Sequence, residues 1–492
     1  MGDGAEPEQL RAILDRQRQA FLADGFPGVA VRRNRIDRLV GLVLDNAEAF
    51  AEAMAADYGT RAKAGSLFTE VLGMMSVIEH TRSQVPQWMQ AAKPMRTARM
   101  LGLHAEVLPC PLGVVGVIGP WNFPLNLVVL PAVAAFAAGN RVMIKMSEIT
   151  AQTAALMTTL VPRYFDQAEL AVVTGGPEVA AAFSELPFDH LFFTGSPAVG
   201  AKVAEAAGRS LVPVTLELGG KNPVVVSRAA NLTRAATRIA QGRMINGGQV
   251  CVSPDYVFVP DDRVDAFVDA ARNTLRSMFG SIVGNGDYCS SVNEANFDRV
   301  LALIDDAREK GAVIEAVAPR GEVLPNPRTR KIAPTIVRDV DDRMRITAEE
   351  VFGPVLVVRA YSSVSDVADY LAGRPAPLVA YWFGPDDDEF RAFVRDTRSG
   401  GVARNDFAAQ MIPSAVPFGG VGTSGMGAYH GKAGFDTFSH YRSVVGTDLP
   451  FSITGRAAPP FTKTMRSSTE LVLWLARRRN RRRLRSGQAG AS

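Results

Sequence analysis

Cysteine is scarce. The 492 residues hold three, Cys110, Cys251 and Cys289, too few for a disulfide scaffold. No C-x-x-C pair occurs among them, which removes zinc ribbons and fingers. The five histidines (His80, His104, His190, His430, His440) are dispersed and none has a Cys or Asp partner at ligand spacing, so no metal is expected. The G-x-G-x-x-G turn of common dinucleotide folds is also missing. The longest apolar run, 125–138, is interrupted by Asn126 and Pro131 and falls short of the ~20 residues of a membrane span. The opening residues carry neither a secretory signal nor an N-myristoylation pattern. A cytoplasmic, reducing location is the expectation.

What is present is ordinary globular material. Hydrophobic residues make up 47% and charged residues 21%, which excludes disorder of the whole chain and allows two to four domains. The net charge of +4 hides a division. From Phe461 onward one Lys and eight Arg stand against one Glu, so this tail carries +8 and the preceding 460 residues −4. Nucleic-acid binding by the mildly acidic body gains no support.

The first hundred residues read as helical. Ile36, Leu39, Val40, Val43 and Leu44 form one apolar face, and the intervening Arg32, Arg33, Arg35, Asp37 and Arg38 read as a solvated one. From Gly113 the texture changes to alternation. Strands are expected at 113–119, 141–146, 171–174, 190–194 and 212–218, with helices at 125–138, 151–164 and 198–207. The 125–138 helix closes on Gly139-Asn140, suited to a left-handed cap. Apolar, non-alternating strands between helices indicate a doubly wound parallel sheet covered on both faces. A second α/β stretch runs to about Pro413, with strands such as 254–259 and 355–360. Segments 99–112 and beyond 413 look like edge strands able to pair.

Two places carry chemistry. Cys251 follows Asn246-Gly247-Gly248-Gln249-Val250, where paired glycines allow a tight turn that exposes the thiol; a small buried hydrophobe is the plainer reading of a lone cysteine. Glu217 ends an apolar strand before Gly219-Gly220 and points toward the crevice where α/β sheets bind ligands. A nucleophile with a carboxylate base can run covalent catalysis with hydrolytic release. The turn Thr194-Gly195-Ser196-Pro197, between strand and helix, offers a helix N-terminus to an anion.

These motifs resemble those of the aldehyde dehydrogenase superfamily. Glu217-Leu218-Gly219-Gly220-Lys221 stands 34 positions before Cys251, as in that family. Pro120-Trp121-Asn122-Phe123-Pro124 is similar to its oxyanion segment, and Lys145-Met146-Ser147-Glu148 to its Lys-Pro-Ser-Glu strand end. Glu349-Glu350-Val351-Phe352-Gly353-Pro354-Val355 resembles its nicotinamide-ribose loop, and 417–427 its C-terminal signature. The likeness covers about residues 30–445. Phe188–Ser196, Cys251–Tyr256 and Tyr429–Lys432 resemble the class 3 branch, which includes coniferyl, benzaldehyde-type and fatty aldehyde dehydrogenases. Met146 departs from the family's proline, and a backbone adjustment there is expected.

The resemblance implies oxidation of an aldehyde to its acid through a thiohemiacetal and a thioester on Cys251. Asn122 and the Cys251 N–H would stabilise the oxyanion, and Glu217 would activate the hydrolytic water. It implies NAD as cofactor, with NADP possible, held by Trp121, Lys145, Glu148, Gly195, Ser196, Val199, Glu350 and Phe352. Phe123, Phe418 and Asn405 would meet an apolar or aromatic aldehyde, while Cys110 and Cys289 read as inert packing. The implied α/β architecture is a doubly wound cofactor domain (1–98 and 113–216), an α/β catalytic domain (217–412), a small β oligomerisation arm (99–112 and 413–460) serving a homodimer, and a basic tail (461–492). Acyl transfer to coenzyme A and a catalytically idle binding protein are the rival functions; retention of Asn122, Glu217 and Cys251 weighs against both. Within the tail, 470–485 joins a short apolar run to arginines, and either peripheral contact with a membrane or a solvated or dimer-packing tail would suit it.

Overall fold

The computed structural model describes residues 6–94, 102–452 and 454–488. Parts of the expected cofactor domain (1–5 and 95–98), arm (99–101 and 453) and tail (489–492) lie outside the described residues. The strands, in chain order, are β1 (Leu103–Pro111), β2 (Val114–Ile118), β3 (Arg141–Lys145), β4 (Leu170–Val173), β5 (His190–Gly195) and β6 (Val214–Leu218). There follow β7 (Pro223–Val226), β8 (Tyr256–Pro260), β9 (Val313–Ala316), β10 (Thr335–Arg338), β11 (Val355–Tyr361), β12 (Val379–Phe383) and β13 (Gly401–Arg404). The last two are β14 (Gly425–Met426) and β15 (Ser439–Thr447).

The first sheet has the order β14-β6-β5-β2-β3-β4. Its five longer strands are parallel, and β2 and β3 are buried along their whole length. From β2 the chain builds outward to β3 and β4, then returns to place β5 and β6 on the other side. The order therefore reverses between β2 and β5, the position where open α/β sheets leave a ligand crevice at their carboxyl ends. Helix Asn126–Ala138, buried on every face, packs beneath it. This helix ends at Gly139 (φ +97°), with the Asn140 N–H returning to Ala135 O at 2.9 Å.

Arg32 and Arg35 correct the reading of a solvated charged face. Both are buried. The Arg32 guanidinium donates to Ala137 O at 2.9 Å and satisfies the end of that same helix. Arg35 pairs with Glu169 at 2.9 Å. Charged groups enter a core when partners fix them, and these partners stand more than 100 positions away in sequence.

The second sheet runs β13-β12-β7-β8-β11-β10-β9, parallel except for β9. The chain divides into two compact units, one of residues 1–90 and 109–441, the other of 91–108 and 442–492. The segments of this second unit begin at 91 and 442, against the 99 and 413 at which the sequence reading starts the arm. Residues 425–426 join the first sheet as β14, with Gly425 opposite Glu217, and helix Gly431–Thr437 packs on helix Asn126–Ala138. In the second unit β1 and β15 pair as a two-stranded ribbon. The tail is helical from Lys463 to Gln488.

Candidate active site

A cleft of about 880 Å³ opens at the carboxyl ends of β2, β5 and β6. It gathers Trp121, Asn122, Gly195, Ser196, Glu217, Cys251, Glu350, Phe352 and Phe418 from separate stretches of chain. Cys251 closes a distorted turn in which Asn246 (φ +49°), Gly247 (φ +64°) and Gly248 (φ +78°) all take left-handed backbone. A Cβ on Gly248 would lie 2.2 Å from Gly353 O. Glycine there lets the cysteine loop pass directly against the loop that carries Glu350. Gly219 serves in the same way, since a Cβ would stand 2.2 Å from Glu350 Oε2.

Three acidic groups crowd this space. Glu217 is buried and neither of its carboxyl oxygens has a hydrogen-bond partner among the described residues, so burial holds it well above the ordinary carboxyl range. Burial, with nearby Asp255, lifts Glu350 to about 8, against the Gly220 N–H, Arg243 and Lys221. The Cys251 thiol is pushed up to about 12, first by burial and then by Glu350 and Glu217. In the ligand-free protein the sulfur is protonated at neutral pH. A positive charge or a base must be brought to it before it can attack.

Residues that the sequence did not single out position the rest. The Asn122 main-chain carbonyl accepts from Arg61 at 3.0 Å, Asn246 Nδ2 at 3.1 Å and Tyr58 Oη at 3.3 Å. Arg61 also pairs with fully buried Glu70 at 2.8 Å. Glu70 in turn accepts the Asn126 N–H at 2.8 Å from a π-helical turn, Leu67–Leu72. The Asn122 amide itself donates to Gln249 O at 3.2 Å, which leaves its second N–H for a substrate oxygen. On the opposite wall, Lys221 binds Asp255 at 2.7 Å and Glu349 O at 3.0 Å, and Asp255 accepts the Val351 N–H at 2.9 Å. Asn222 donates to Cys251 O at 2.7 Å. Arg61 and Glu70 carry no sequence signal, whereas Lys221 and Asp255 lie inside the motifs quoted above. Tyr429 also lines the cleft, edge-on to Phe418 at 5.8 Å.

Other expected residues stand elsewhere. Asn405 does not line this cleft. Its amide is spent on the backbone of Gly384, accepting from its N–H and donating to its carbonyl, both at 2.8 Å, around a left-handed φ of +63°. It braces a loop. Phe123 is half-buried beneath the Arg61 guanidinium, 5.5 Å from its ring centroid, and is not in the cleft wall. Val199 is exposed, and its N–H donates to Ser196 Oγ at 3.4 Å. Cys110 is buried. Cys289 is more than packing, since its sulfur lies 3.4 Å from Asn246 Oδ1 and 3.8 Å from Gln249 Nε2 on the Cys251 loop.

The residues present fit a dinucleotide. Thr194 Oγ1 is buried, has no hydrogen-bond partner among the described residues and lines the crevice. Ser196 caps helix Pro197–Arg209, whose first N–H groups face the same space. Lys145, buried at the end of β3, pairs at 2.7 Å with the partly exposed Glu148, and neither is in the cleft wall. Met146 in place of proline keeps this strand in register, because its N–H donates to Val173 O at 3.1 Å. Trp121 and Phe352 meet edge-on at 5.3 Å beside the cysteine loop.

Comparison with known proteins agrees in sequence and in fold. The aldehyde dehydrogenase family profile matches residues 4–444. A coniferyl aldehyde dehydrogenase of Pseudomonas sp. (strain HR199 / DSM 7063) is 43% identical over 438 residues, 89% of this chain and 91% of the relative. A dimeric, NADP-preferring aldehyde dehydrogenase of Rattus norvegicus is 38% identical over 89% of this chain and 94% of its own. The substrate-bound structure of Staphylococcus aureus AldH superposes with a TM-score of 0.85 at 31% identity, covering 94% of this chain and 99% of that one. A crevice suited to NAD or NADP that opens onto a thiol and a buried carboxyl group is what the shared ancestry accounts for, and this chain belongs to the aldehyde dehydrogenase family.

Proposed function

We propose that the chain oxidises aldehydes with an apolar or aromatic body, coniferyl aldehyde among them, to the carboxylic acid through a covalent intermediate on Cys251. One observation carries the reading: the thiol shares a cleft with Glu217, a buried carboxyl group whose oxygens have no hydrogen-bond partner among the described residues. The Cys251 sulfur loses its proton and bonds to the carbonyl carbon. The oxygen that gains charge meets the Asn122 amide and the Cys251 N–H, donors of the kind whose single loss slows catalysis about 10²–10³-fold. When bound, the oxidised nicotinamide supplies a positive charge and the acceptor for the hydride. The acyl group is then a thioester of Cys251. Glu217 takes a proton from the water that attacks it, and the acid departs.

Apolar walls from Phe418, Tyr429, Leu127 and Leu378 favour aromatic or aliphatic aldehydes over charged ones, and the 43%-identical Pseudomonas relative is a coniferyl aldehyde dehydrogenase. The Glu148 carboxylate favours the free 2′-hydroxyl of NAD over the 2′-phosphate of NADP, while its partner Lys145 tempers that repulsion. A homodimer built through the β1–β15 ribbon completes the proposal.

Single-turnover measurement tests the roles of the two groups. Glu217→Gln should form about one equivalent of NADH per site and then stall at thioester hydrolysis. Cys251→Ala should form none while still binding NAD. Absence of a burst in the Glu217 variant would contradict its assignment to the second step. A strict requirement for coenzyme A in the unaltered enzyme would replace hydrolysis by acyl transfer.

A further inference from the structure

We propose that Asn246 is a positioning residue for the oxyanion donor Asn122, its side-chain amide tying the main chain of Asn122 to the cysteine loop. This rests on the function proposed above, in which Asn122 meets the developing oxyanion. Asn246 does not line the cleft and acts through Asn122. It stands in left-handed backbone (φ +49°, ψ +32°), as do Gly247 and Gly248 after it. Glycine would adopt that conformation with less strain. What asparagine adds is its amide.

Both N–H groups of that amide are used. Nδ2 donates to Asn122 O at 3.1 Å and to Gln249 O at 3.3 Å. Gln249 O also accepts the Asn122 side-chain amide, at 3.2 Å. Asn122 is therefore held at its main chain and at its side chain by the same short stretch before Cys251. Reversing the Asn246 amide would aim its oxygen at two carbonyl oxygens, so its sense is fixed. The remaining acceptor, Oδ1, takes a hydrogen bond from the Cys289 sulfur at 3.4 Å, with Ser290 O competing for that donor at 3.5 Å. Gln249 Nε2 completes the network by donating to Asn246 O at 2.9 Å and to Ser290 O at 3.0 Å. Three separate segments thus converge on one amide, and misplacing a catalytic donor by about 1 Å is enough to slow a reaction about 10²-fold.

Steady-state kinetics and NAD titration of full-length variants test this. Asn246→Gly keeps the backbone and deletes the amide. Its kcat should fall between about tenfold and a hundredfold, with the dissociation constant for NAD unchanged. Asn246→Asp keeps the shape but sets an acceptor against two carbonyls. Its kcat relative to the unaltered enzyme should rise as pH is lowered from about 9 to about 6, because the protonated carboxyl regains one donor. Cys289→Ser still donates and should retain more activity than Cys289→Val, which does not. Full kcat in Asn246→Gly, or a loss matched by an equal loss of NAD affinity, would overturn the proposal. So would a deficit in Asn246→Ala that Asn246→Gly does not share, since backbone strain would then be the whole effect, or a deficit in Asn246→Asp that ignores pH. Turnover by the unaltered enzyme separates failure of this proposal from failure of the catalytic reading; its absence would overturn both.

Discussion

Glu350 shows at the scale of one residue how the cleft is set. It lies among Asp255, Arg243 and Lys221, yet burial wins and lifts it to about 8 from an ordinary 4.5. Between those two values the unfolded chain has released a proton that the folded chain still binds. Stability of the ligand-free protein therefore falls as pH rises through that window. Glu350→Gln removes the difference and should flatten the slope of melting temperature against pH between 4.5 and about 8. Circular dichroism melts of both proteins across that range decide it; an unchanged slope would place the proton elsewhere. Glu217 is shifted the same way, so some slope remains in the variant. The same crowding predicts an oxidation rate that climbs with pH, because both the Cys251 sulfur and Glu217 must lose a proton to act.

At the scale of elements, the parallel strands were legible because each is a short apolar run between helical stretches, and observed limits fall within a few residues of the expected ones. The misreadings share a cause. Arg32 and Arg35 sit where helical spacing predicts water, and Asn405 sits in a motif that suggests substrate; in each case the deciding partner comes from a distant segment. A two-residue strand such as β14 has no periodicity to detect. Arg61 is the element-scale case with consequence for catalysis. It joins the N-terminal helices to the carbonyl of Asn122 while satisfying Glu70. Arg61→Lys keeps a charge for Glu70 but lacks the planar fork that serves both acceptors at once. We expect kcat to fall between about tenfold and a hundredfold through misplacement of the Asn122 amide, with KM for the dinucleotide unchanged. Steady-state kinetics supply both numbers. A rise in KM alone, at constant kcat, would mean that Arg61 shapes the cofactor crevice instead.

For the whole molecule, the two large sheets bury their central strands and gather the chemistry at the ends of their strands. The β1–β15 ribbon is built differently. Every residue of β15 after Ser439 is exposed, including Val444 at 45% and Val445 at 71%. A two-stranded ribbon is marginal in water, and an exposed strand edge with apolar side chains invites pairing with another strand. The sequence pointed to two pairing segments here but could not show which residues stay uncovered, because exposure depends on the assembled fold. A second copy of the chain is the partner that the proposed dimer supplies. Val445→Lys places a charge on that surface without touching the cleft. Light scattering should then give a dimer mass for the unaltered protein and a monomer mass for the variant at micromolar concentration. Aldehyde oxidation per site should persist in the monomer, since Asn122, Glu217 and Cys251 meet within one chain. A dimer that survives the lysine would move the interface away from β15, and an unaltered protein that is monomeric would remove it.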